Sequence, residues 1–343
     1  MTEDARQNTG EELERAGSDQ TFRSGFIAVV GRPNVGKSTL INSLVGKQVA
    51  ITSSKPETTR KAIRAIVTRD DCQLVLVDTP GIHRPRTVLG KRLNDIVDES
   101  LADSDAIAFL LPANQEIGPG DRRILSRLRQ QFSYKDQSGQ WQWRKPLIGV
   151  ITKIDYLKKN DLVNKIIEID QFGHFTQLVP VSALQSDNVD EVLRVFRQAV
   201  PEGPLMYPVE QISEEPPKET IAELIRGVFL EELDDELPHS LAVVVDSIEY
   251  PDSDDRGQDE DQTADSYRQA DHKALVHVSV YVERNSQKPI IIGHNAEHLV
   301  RVKKKLRTPV NRIVGCKSTL DLHVKVSKSW QSDPKKIQRL GFM

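Results

Sequence analysis

Eight consecutive residues, Gly31 to Ser38, have the types and the spacing of a phosphate-binding loop. Their sequence, G-R-P-N-V-G-K-S, fits the pattern G-x-x-x-x-G-K-[ST]. Glycines let the backbone curl so that successive N–H groups face one anion, and a following helix N-terminus adds partial positive charge. In such loops the lysine, here Lys37, reaches the β- and γ-phosphates, and the hydroxyl group, here that of Ser38, ligates Mg²⁺. An apolar run before the loop and a helical pattern after it complete the strand–loop–helix context.

A carboxylate and a glycine at the end of a later apolar run form a second nucleotide-binding signal. In Asp78-Thr79-Pro80-Gly81, the carboxylate can hold Mg²⁺ through water and the glycine N–H can bond to the γ-phosphate. The polar stretch between the two motifs contains Thr58 and Thr59. One of them, with Thr59 the preferred candidate, can ligate Mg²⁺, so that its loop becomes ordered only when a triphosphate is bound.

The sequence Thr152-Lys153-Ile154-Asp155 ends another apolar run and indicates which base is bound. The carboxylate of Asp155 can accept two hydrogen bonds from N1–H and the exocyclic amine of guanine, whereas adenine offers no such pair on that edge. The stem of Lys153 can cover the base plane. The backbone of Val181-Ser182-Ala183 can contact the guanine oxygen. These residues predict a guanine nucleotide.

An alternation of apolar and amphipathic segments must position these residues. Between residues 25 and 200 the alternation predicts a mostly parallel α/β sheet with helices on both faces and a ligand site at the carboxyl ends of its strands. We expect strands over 26–31, 62–68, 73–78, 106–112, 147–152 and 177–181, and helices over 38–45, 88–103, 121–131, 161–171 and 189–199. Residues 134–143 are interpreted as a polar surface insertion.

The rest of the chain has a different pattern. The segment from Pro201 to Pro217 carries five prolines and several acids, which is typical of a stiff linker. After it we expect a helix over 218–233, strands over 241–250 and 274–283, an apolar run at 289–293, a basic helix over 296–307 and a strand over 319–327. The predicted organisation is a disordered acidic tail at 1–23, a first domain at 24–203, a linker at 204–217 and a second domain at 218–343 with a disordered acidic insertion at 251–272.

Charge is distributed unevenly along the chain. The net charge is -3, yet residues 288–343 carry 13 Lys and Arg against 3 Asp and Glu. This excess predicts a surface that binds a polyanion, with an ordinary solvated helix face as the alternative. No apolar stretch reaches the ~18 residues of a membrane-spanning helix, and the polar N-terminus lacks the apolar core of a signal peptide. We therefore expect a cytoplasmic protein whose two cysteines are reduced.

With these motifs in this order, the chain resembles the Ras-like GTPase superfamily and, within it, the Era family, in which a C-terminal KH domain follows the GTPase domain. The closer match is carried by G-R-P-N-V-G-K-S-T-L at 31–40, T-T-R at 58–60, D-T-P-G-I-H-R-P at 78–85, I-G-P-G-D at 117–121, P-I-I-I-G at 289–293 and V-K-V-S-K-S-W at 324–330. The resemblance implies a P-loop GTPase domain followed by an α+β domain of the type II KH class. It also implies a GTP-hydrolysing switch that binds 16S rRNA and assists assembly of the 30S subunit.

The resemblance assigns roles to individual residues. Those expected to bind GTP or GDP are Gly31, Arg32, Pro33, Asn34, Val35, Gly36, Lys37, Ser38, Thr39, Asp78, Thr79, Pro80, Gly81, Ile82, Thr152, Lys153, Asp155, Ser182 and Ala183. Those expected to act in catalysis are Lys37, Asn34, Thr59 and Gly81, and those expected to hold Mg²⁺ are Ser38, Thr59 and Asp78. Those expected to face RNA are Lys288, Ile291, Ile292, Gly293, His294, Asn295, Arg301, Lys303, Lys304 and Lys305.

Three residues depart from the family's pattern. Thr152 stands where asparagine is usual, and its shorter reach predicts weaker guanine affinity. Ala296 ends the KH loop where a glycine is expected, so its Cβ lies where a sugar-phosphate backbone passes, which predicts looser RNA binding. Pro309 lies inside the last long helix of the KH domain and predicts a break or kink there.

Ile82 occupies the place after Gly81 where Ras-like enzymes have a glutamine that orients water. An isoleucine cannot orient water. The resemblance implies that K⁺, bound with the help of Asn34, replaces the charge of an arginine finger. The alternative is that Asn34 only caps N–H groups of its own loop.

Two other functions remain as alternatives. One is an assembly scaffold whose nucleotide tunes affinity with negligible turnover. The other is a GTPase whose altered KH domain binds protein or an anionic membrane surface, which would place it peripherally on the cytoplasmic side of the inner membrane. We expect the protein to be a monomer.

Overall fold

The computed structural model describes residues 21–51, 61–81, 87–233, 240–250 and 273–342. Several predictions from the sequence concern residues outside these ranges. These residues are most of the acidic tail, the acidic insertion, Thr58, Thr59 and Ile82.

The first domain contains a six-stranded sheet of order β2-β3-β1-β4-β7-β8. The strands are β1 (Arg23–Val30), β2 (Ile63–Arg69), β3 (Cys72–Asp78), β4 (Ala106–Pro112), β7 (Leu147–Thr152) and β8 (Gln177–Pro180). The helices are α1 (Lys37–Val45), α2 (Val88–Asp103), α3 (Pro119–Phe132), α4 (Lys159–Gly173) and α5 (Val189–Ala199). Every strand pair is parallel except β2 with β3. The mostly parallel sheet predicted from the sequence is confirmed.

Burial explains why these segments form this sheet. Every residue of β3 and β4 is buried, which is typical of strands covered on both faces. One apolar cluster joins the sheet to α1 and α5, and another joins its opposite face to α2, α3 and α4. Because β1, β3, β4 and β7 are parallel, their carboxyl ends meet at one edge of the sheet, where ligands bind in sheets of this kind.

The segment expected as an irregular insertion forms a small hairpin. Its strands are β5 (Ser133–Lys135) and β6 (Trp141–Trp143). The Asp136 side chain accepts hydrogen bonds from the turn, and these bonds lower its pKa to about 2. The indole Nε1 of Trp143 donates to the His174 carbonyl at 2.8 Å and fixes the hairpin to the domain. Strands of three residues are too short to show an alternating pattern.

The proline-rich linker packs along the edge strand β2. The Gln73 side-chain oxygen accepts hydrogen bonds from the N–H groups of Met206 and Tyr207 at 2.7 and 2.8 Å. Ser213 forms a β-bridge with Ala65. These bonds attach the linker to the first domain, so it is not a free tether.

The second domain has a three-stranded sheet of order β11-β10-β9, with β10 and β11 parallel and β9 antiparallel to β10. The strands are β9 (Ala242–Glu249), β10 (Ala274–Val282) and β11 (Ser318–Val326), and the helices are α6 (Pro217–Glu232), α7 (Gln287–Ile292), α8 (Glu297–Val314) and α9 (Pro334–Arg339). Helices α6, α7 and α8 share one apolar cluster with this sheet. The α+β domain expected from the resemblance is confirmed. None of the helices in the described ranges is long and apolar enough to cross a membrane.

Helix α8 continues through Pro309 to Val314. A proline inside a helix costs about 3 kcal/mol because it removes a hydrogen bond and crowds the preceding turn. Val302, Leu306 and Val310 are buried against the sheet on both sides of the proline. This packing outweighs the local cost, and the predicted break in the helix is wrong.

The two domains meet at α6 and at the C-terminal segment. Glu219 of α6 forms an ion pair with Lys61 at 2.7 Å, and Gly227 lies against Ile51 so closely that a Cβ there would be 2.7 Å from the isoleucine. Trp330, fully buried, stacks on Phe342 and belongs to an apolar cluster that includes α2. Helix α6 therefore contacts the residues on either side of segment 52–60.

Candidate nucleotide and RNA sites

The P-loop connects β1 to α1 in a conformation that L side chains rarely adopt. Asn34 has φ 63° and Gly36 has φ 101°. A Cβ on Gly31 would lie 2.8 Å from Val35 and 3.0 Å from the Leu110 carbonyl oxygen. Because α1 starts directly at the loop, its first N–H groups are available to an anion there.

Lys37 and Ser38 lie next to Asp78 at the bottom of the loop. Burial lowers the pKa of the Lys37 ammonium, and the nearby charge of Asp78 opposes this shift. The lysine Nζ is 3.4 Å from the Arg32 carbonyl oxygen. The Ser38 hydroxyl donates to Asp78 Oδ2 at 2.6 Å. A buried ammonium fits a phosphate, and hydroxyl and carboxylate oxygens are ligands that suit Mg²⁺.

The segment after β3 packs directly on the P-loop. The Thr79 hydroxyl donates to the Val29 carbonyl at 2.8 Å. A Cβ on Gly81 would lie 3.0 Å from Cγ and 3.2 Å from the backbone nitrogen of Pro33, which leaves little room for any other residue. The structure thus brings Asp78, Thr79 and Gly81 to the P-loop.

The last residue of β7 and the residue after it are hydrogen-bonded to the P-loop as well. The Thr152 hydroxyl donates to the Val35 carbonyl at 2.6 Å, and the Lys153 ammonium donates to the Asn34 carbonyl at 2.8 Å. The Ser182 hydroxyl, from the segment after β8, donates to Asp155 Oδ1 at 2.6 Å. A carboxylate oriented by such a bond can accept the two donors of guanine. Despite its short side chain, Thr152 reaches the P-loop.

One acidic side chain and one amide side chain at the site were not predicted from the sequence. Asp121, which is fully buried, accepts a hydrogen bond from Nε of Arg32 at 2.8 Å, and Gln115 accepts one from Nη2 at 3.1 Å. The sequence signal for Asp121 is its place three residues after Gly118, from which an acid can accept a hydrogen bond from the N–H of the residue that precedes the helix. Asp121 accepts this bond from Gly118 at 2.9 Å.

The loop between α7 and α8 contains three residues with positive φ. These are Gly293 at 75°, Asn295 at 49° and Ala296 at 61°. His294 and Asn295 are exposed, and Ala296 lies before the first residue of α8. An L residue in this conformation is strained, which explains why a glycine is expected at position 296.

The predicted RNA-facing set needs one correction. Ile291 has 0% exposure and belongs to the apolar core, so it cannot contact RNA, whereas its neighbour Ile290 is 48% exposed. Lys305, whose side chain is 48% exposed, forms an ion pair at 2.8 Å with Glu232, a nearly buried acid of α6. At 100° per residue, Lys303, Lys304 and Lys305 do not share one face of α8. Lys288, Arg301 and Lys304 are exposed.

Comparison with known families identifies both parts of the chain. Residues 26–153 match the family described as 50S ribosome-binding GTPase, and residues 263–331 match the KH domain. The chain is 46% identical over 322 residues to GTPase Era of Mycobacterium avium, covering 94% of this chain and 99% of that protein. It is also 46% identical over 332 residues to GTPase Era of Streptomyces coelicolor, covering 95% and 96%.

Two solved structures have the same architecture over nearly the whole chain. One is the crystal structure of Era in complex with MgGDPNP and nucleotides 1506–1542 of 16S ribosomal RNA, with a TM-score of 0.80 and 30% identity, covering 94% of this chain and 99% of that chain. The other, with the same values, is an Aquifex aeolicus Era variant bound to GDP and AlF₄⁻.

Proposed function

The chain belongs to the Era family of GTPases, and from this membership we propose that it binds 16S rRNA through its KH domain and assists assembly of the small ribosomal subunit. It is a GTPase that uses GTP, GDP and Mg²⁺. The two domains have the boundaries 24–203 and 218–343 in this proposal, with the linker at 204–217 between them.

The observation that supports the nucleotide site most strongly is the convergence of the ends of β3 and β7 and the start of α3 on the P-loop and the strand before it. Thr79, directly after β3, bonds to Val29 of β1, Thr152 at the end of β7 bonds to Val35 of the P-loop, and Asp121 in the first turn of α3 bonds to Arg32. Lys37 would hold the phosphates, Ser38 and Asp78 would hold Mg²⁺, and Asp155 would recognise guanine. Thr59 would complete the Mg²⁺ site. Bound Mg²⁺ neutralises charge on the phosphate oxygens.

A monovalent cation is a further part of the proposal. Asn34 is exposed at the bend of the P-loop, with φ 63°. An amide oxygen is a suitable ligand for K⁺, whose charge would lie close to that developing on the phosphates. The proposal assigns Asn34 to this cation and the N–H of Gly81 to the γ-phosphate.

The RNA half of the proposal uses the loop between α7 and α8. Its exposed residues, together with Lys288, Arg301 and Lys304, form a basic surface. Single-stranded RNA is recognised by KH domains through a loop of this kind that clamps the backbone. We infer that Ile292, Gly293, His294 and Asn295 contact RNA, and that Ile291 does not.

The test of both domains together is co-sedimentation with precursors of the 30S subunit. We expect the full chain to bind with a GTP analogue and to be released with GDP. Lys304→Gln should weaken binding, while Lys335→Gln, which changes an exposed lysine of α9, should not. Binding that is independent of nucleotide, or equal losses in the two variants, would contradict the proposal.

Each alternative function has its own measurement. Steady-state phosphate release separates an active GTPase from a scaffold with negligible turnover. Binding to an RNA oligomer across a salt series separates an RNA surface from one for protein or for an anionic membrane, because phosphate contacts give a linear log–log slope. Sedimentation of the protein alone tests the proposed monomer, and fractionation tests the proposed cytoplasmic location.

A further inference from the structure

The start of α3 is built around the side chain of Arg32, the second residue of the P-loop. One carboxylate oxygen of Asp121 accepts a hydrogen bond from Nε of Arg32 at 2.8 Å, and the other accepts one from the N–H of Gly118 at 2.9 Å. Asp121 has 0% exposure, and the Arg32 side chain is 25% exposed. A single buried carboxylate therefore ties the first turn of a helix to the P-loop.

Gly120 provides the space in which the Arg32 stem lies. A Cβ on Gly120 would be 2.6 Å from Cδ and 3.0 Å from Cγ of Arg32, which is closer than real Cβ contacts. A Cβ on Gly118 would be 3.6 Å from the nearest Arg32 atom, an ordinary contact. Any side chain at position 120 must therefore displace Arg32, whereas one at position 118 need not.

The position of Arg32 matters to the rest of the loop. Its carbonyl oxygen lies 3.4 Å from the Lys37 ammonium. The centre of the loop, with Asn34 and Gly36 at positive φ, is held by Thr152 and Lys153. The beginning of the loop is held by Asp121 and Gln115 through the Arg32 side chain.

We propose that Asp121 and Gly120 are positioning residues for nucleotide binding, because together they hold Arg32 and so keep the P-loop in its phosphate-binding shape. This inference rests on the proposed role of that loop. Preorganised loops bind more tightly than loops that the ligand must order. The P-loop serves both nucleotides, so loss of the Asp121–Arg32 bond lowers the affinity for GDP and GTP by the same factor.

Gly120→Ala is the main test, with Gly118→Ala as its matched control. The added methyl group displaces Arg32 from Asp121, so we expect the Kd for fluorescent GDP and GTP analogues to rise roughly tenfold, as for loss of one charge-assisted hydrogen bond. The control should stay within about twofold. A purely structural role predicts a lower melting temperature, because the buried Asp121 carboxylate loses its ion pair, together with an unchanged Kd.

Asp121→Asn provides a second route to the same contact. It keeps the size of the side chain and removes the charge, and it should raise both Kd values in the same direction even where Gly120→Ala does not fold. Combined with Gly120→Ala it should add little, because both changes break one interaction.

The GDP-binding measurements distinguish failure of this inference from failure of the proposed function. If the unaltered chain binds GDP and both variants bind it equally well, the positioning role is overturned and the nucleotide site stands. If the unaltered chain fails to bind GDP at all, the proposed nucleotide site is overturned, and the inference with it.

Discussion

The hydroxyl group of Thr152 lies 2.6 Å from the carbonyl oxygen of Val35 and joins the end of β7 to the middle of the P-loop. Both residues are buried, at 4% and 1% exposure, so water cannot replace this bond. The motif proposed to recognise the base and the loop proposed to bind the phosphates are therefore one hydrogen-bonded unit.

Thr152→Val should weaken nucleotide binding by roughly tenfold, because it leaves a buried carbonyl without its donor, at a cost of ~1–3 kcal/mol. Thr152→Ser keeps the hydroxyl and is the matched control. Thr152→Asn tests the expectation, drawn from the sequence, that threonine weakens guanine affinity. Isothermal titration with GDP measures all three, and a valine variant as tight as the serine variant would contradict the prediction.

Asp155→Asn should change base preference from guanine to xanthine. The amide replaces a pair of acceptors by one acceptor and one donor, and sites built on hydrogen bonds reject mismatched partners by up to ~10⁴-fold. The Ser182 hydroxyl can still donate to the asparagine oxygen, so the surrounding geometry is retained. Competition between GTP and xanthosine triphosphate measures the change. Asp161→Asn, an exposed acid of α4, should have no effect.

Hydrolysis should fall when Na⁺ replaces K⁺ in the buffer, and Asn34→Ala should remove the difference between the two salts. An arginine finger contributes about 10³–10⁵ in rate, and a hydrated K⁺ should contribute much less. The measurement is phosphate release at saturating GTP in matched KCl and NaCl. Equal rates in both salts for the unaltered protein would leave Asn34 as a cap for its own loop.

Ala296→Gly should stabilise the KH domain and tighten RNA binding. Ala296 precedes α8 with φ 61°, where an L residue is strained by about 1–2 kcal/mol. Allowing for the larger entropy of glycine, we expect a net gain of ~0.5–1 kcal/mol. Ala102→Gly, at an exposed position within α2, should instead destabilise the protein by a similar amount. Denaturation and RNA titration measure the two effects separately.

Glu215 makes stability depend on pH in the direction opposite to that of most acids. Burial, and then the charge of Glu219, raise its pKa to about 7. The folded state therefore holds this proton at pH values where the unfolded chain releases it, so stability falls as pH rises from about 4.5 to about 7. Glu215→Gln should raise the melting temperature at pH 8 and flatten the profile below pH 7. Glu210→Gln, an exposed acid of the linker, is the control and should leave the slope unchanged.

The pattern of apolar residues predicted the strands of the six-stranded sheet well, because each strand is indicated by residues that are adjacent in the sequence. The runs at 106–112 and 147–152 coincide with β4 and β7, and the helix at 88–103 coincides with α2. The P-loop and its partner motifs could be found because their spacing along the chain is fixed by phosphate geometry.

Features that depend on distant packing could not be predicted in this way. Pro309 remains helical because the residues around it are buried by a sheet that is remote in sequence. Ile291 has the sequence context of an RNA-facing residue, but it belongs to the apolar core of the second domain. The ion pair between Arg32 and Asp121 joins two segments that no local pattern connects.

The apolar cluster between α2 and the C-terminal segment has a consequence for biosynthesis. Leu89, Leu93 and Ile96 are covered by Trp330, Leu340 and other residues near the end of the chain. N-terminal domains fold first during translation, at about 5–20 residues per second. The nascent GTPase domain therefore emerges from the ribosome with a bare apolar stripe on α2. Until the last part of the chain is synthesised, that stripe is open to chaperones and to aggregation.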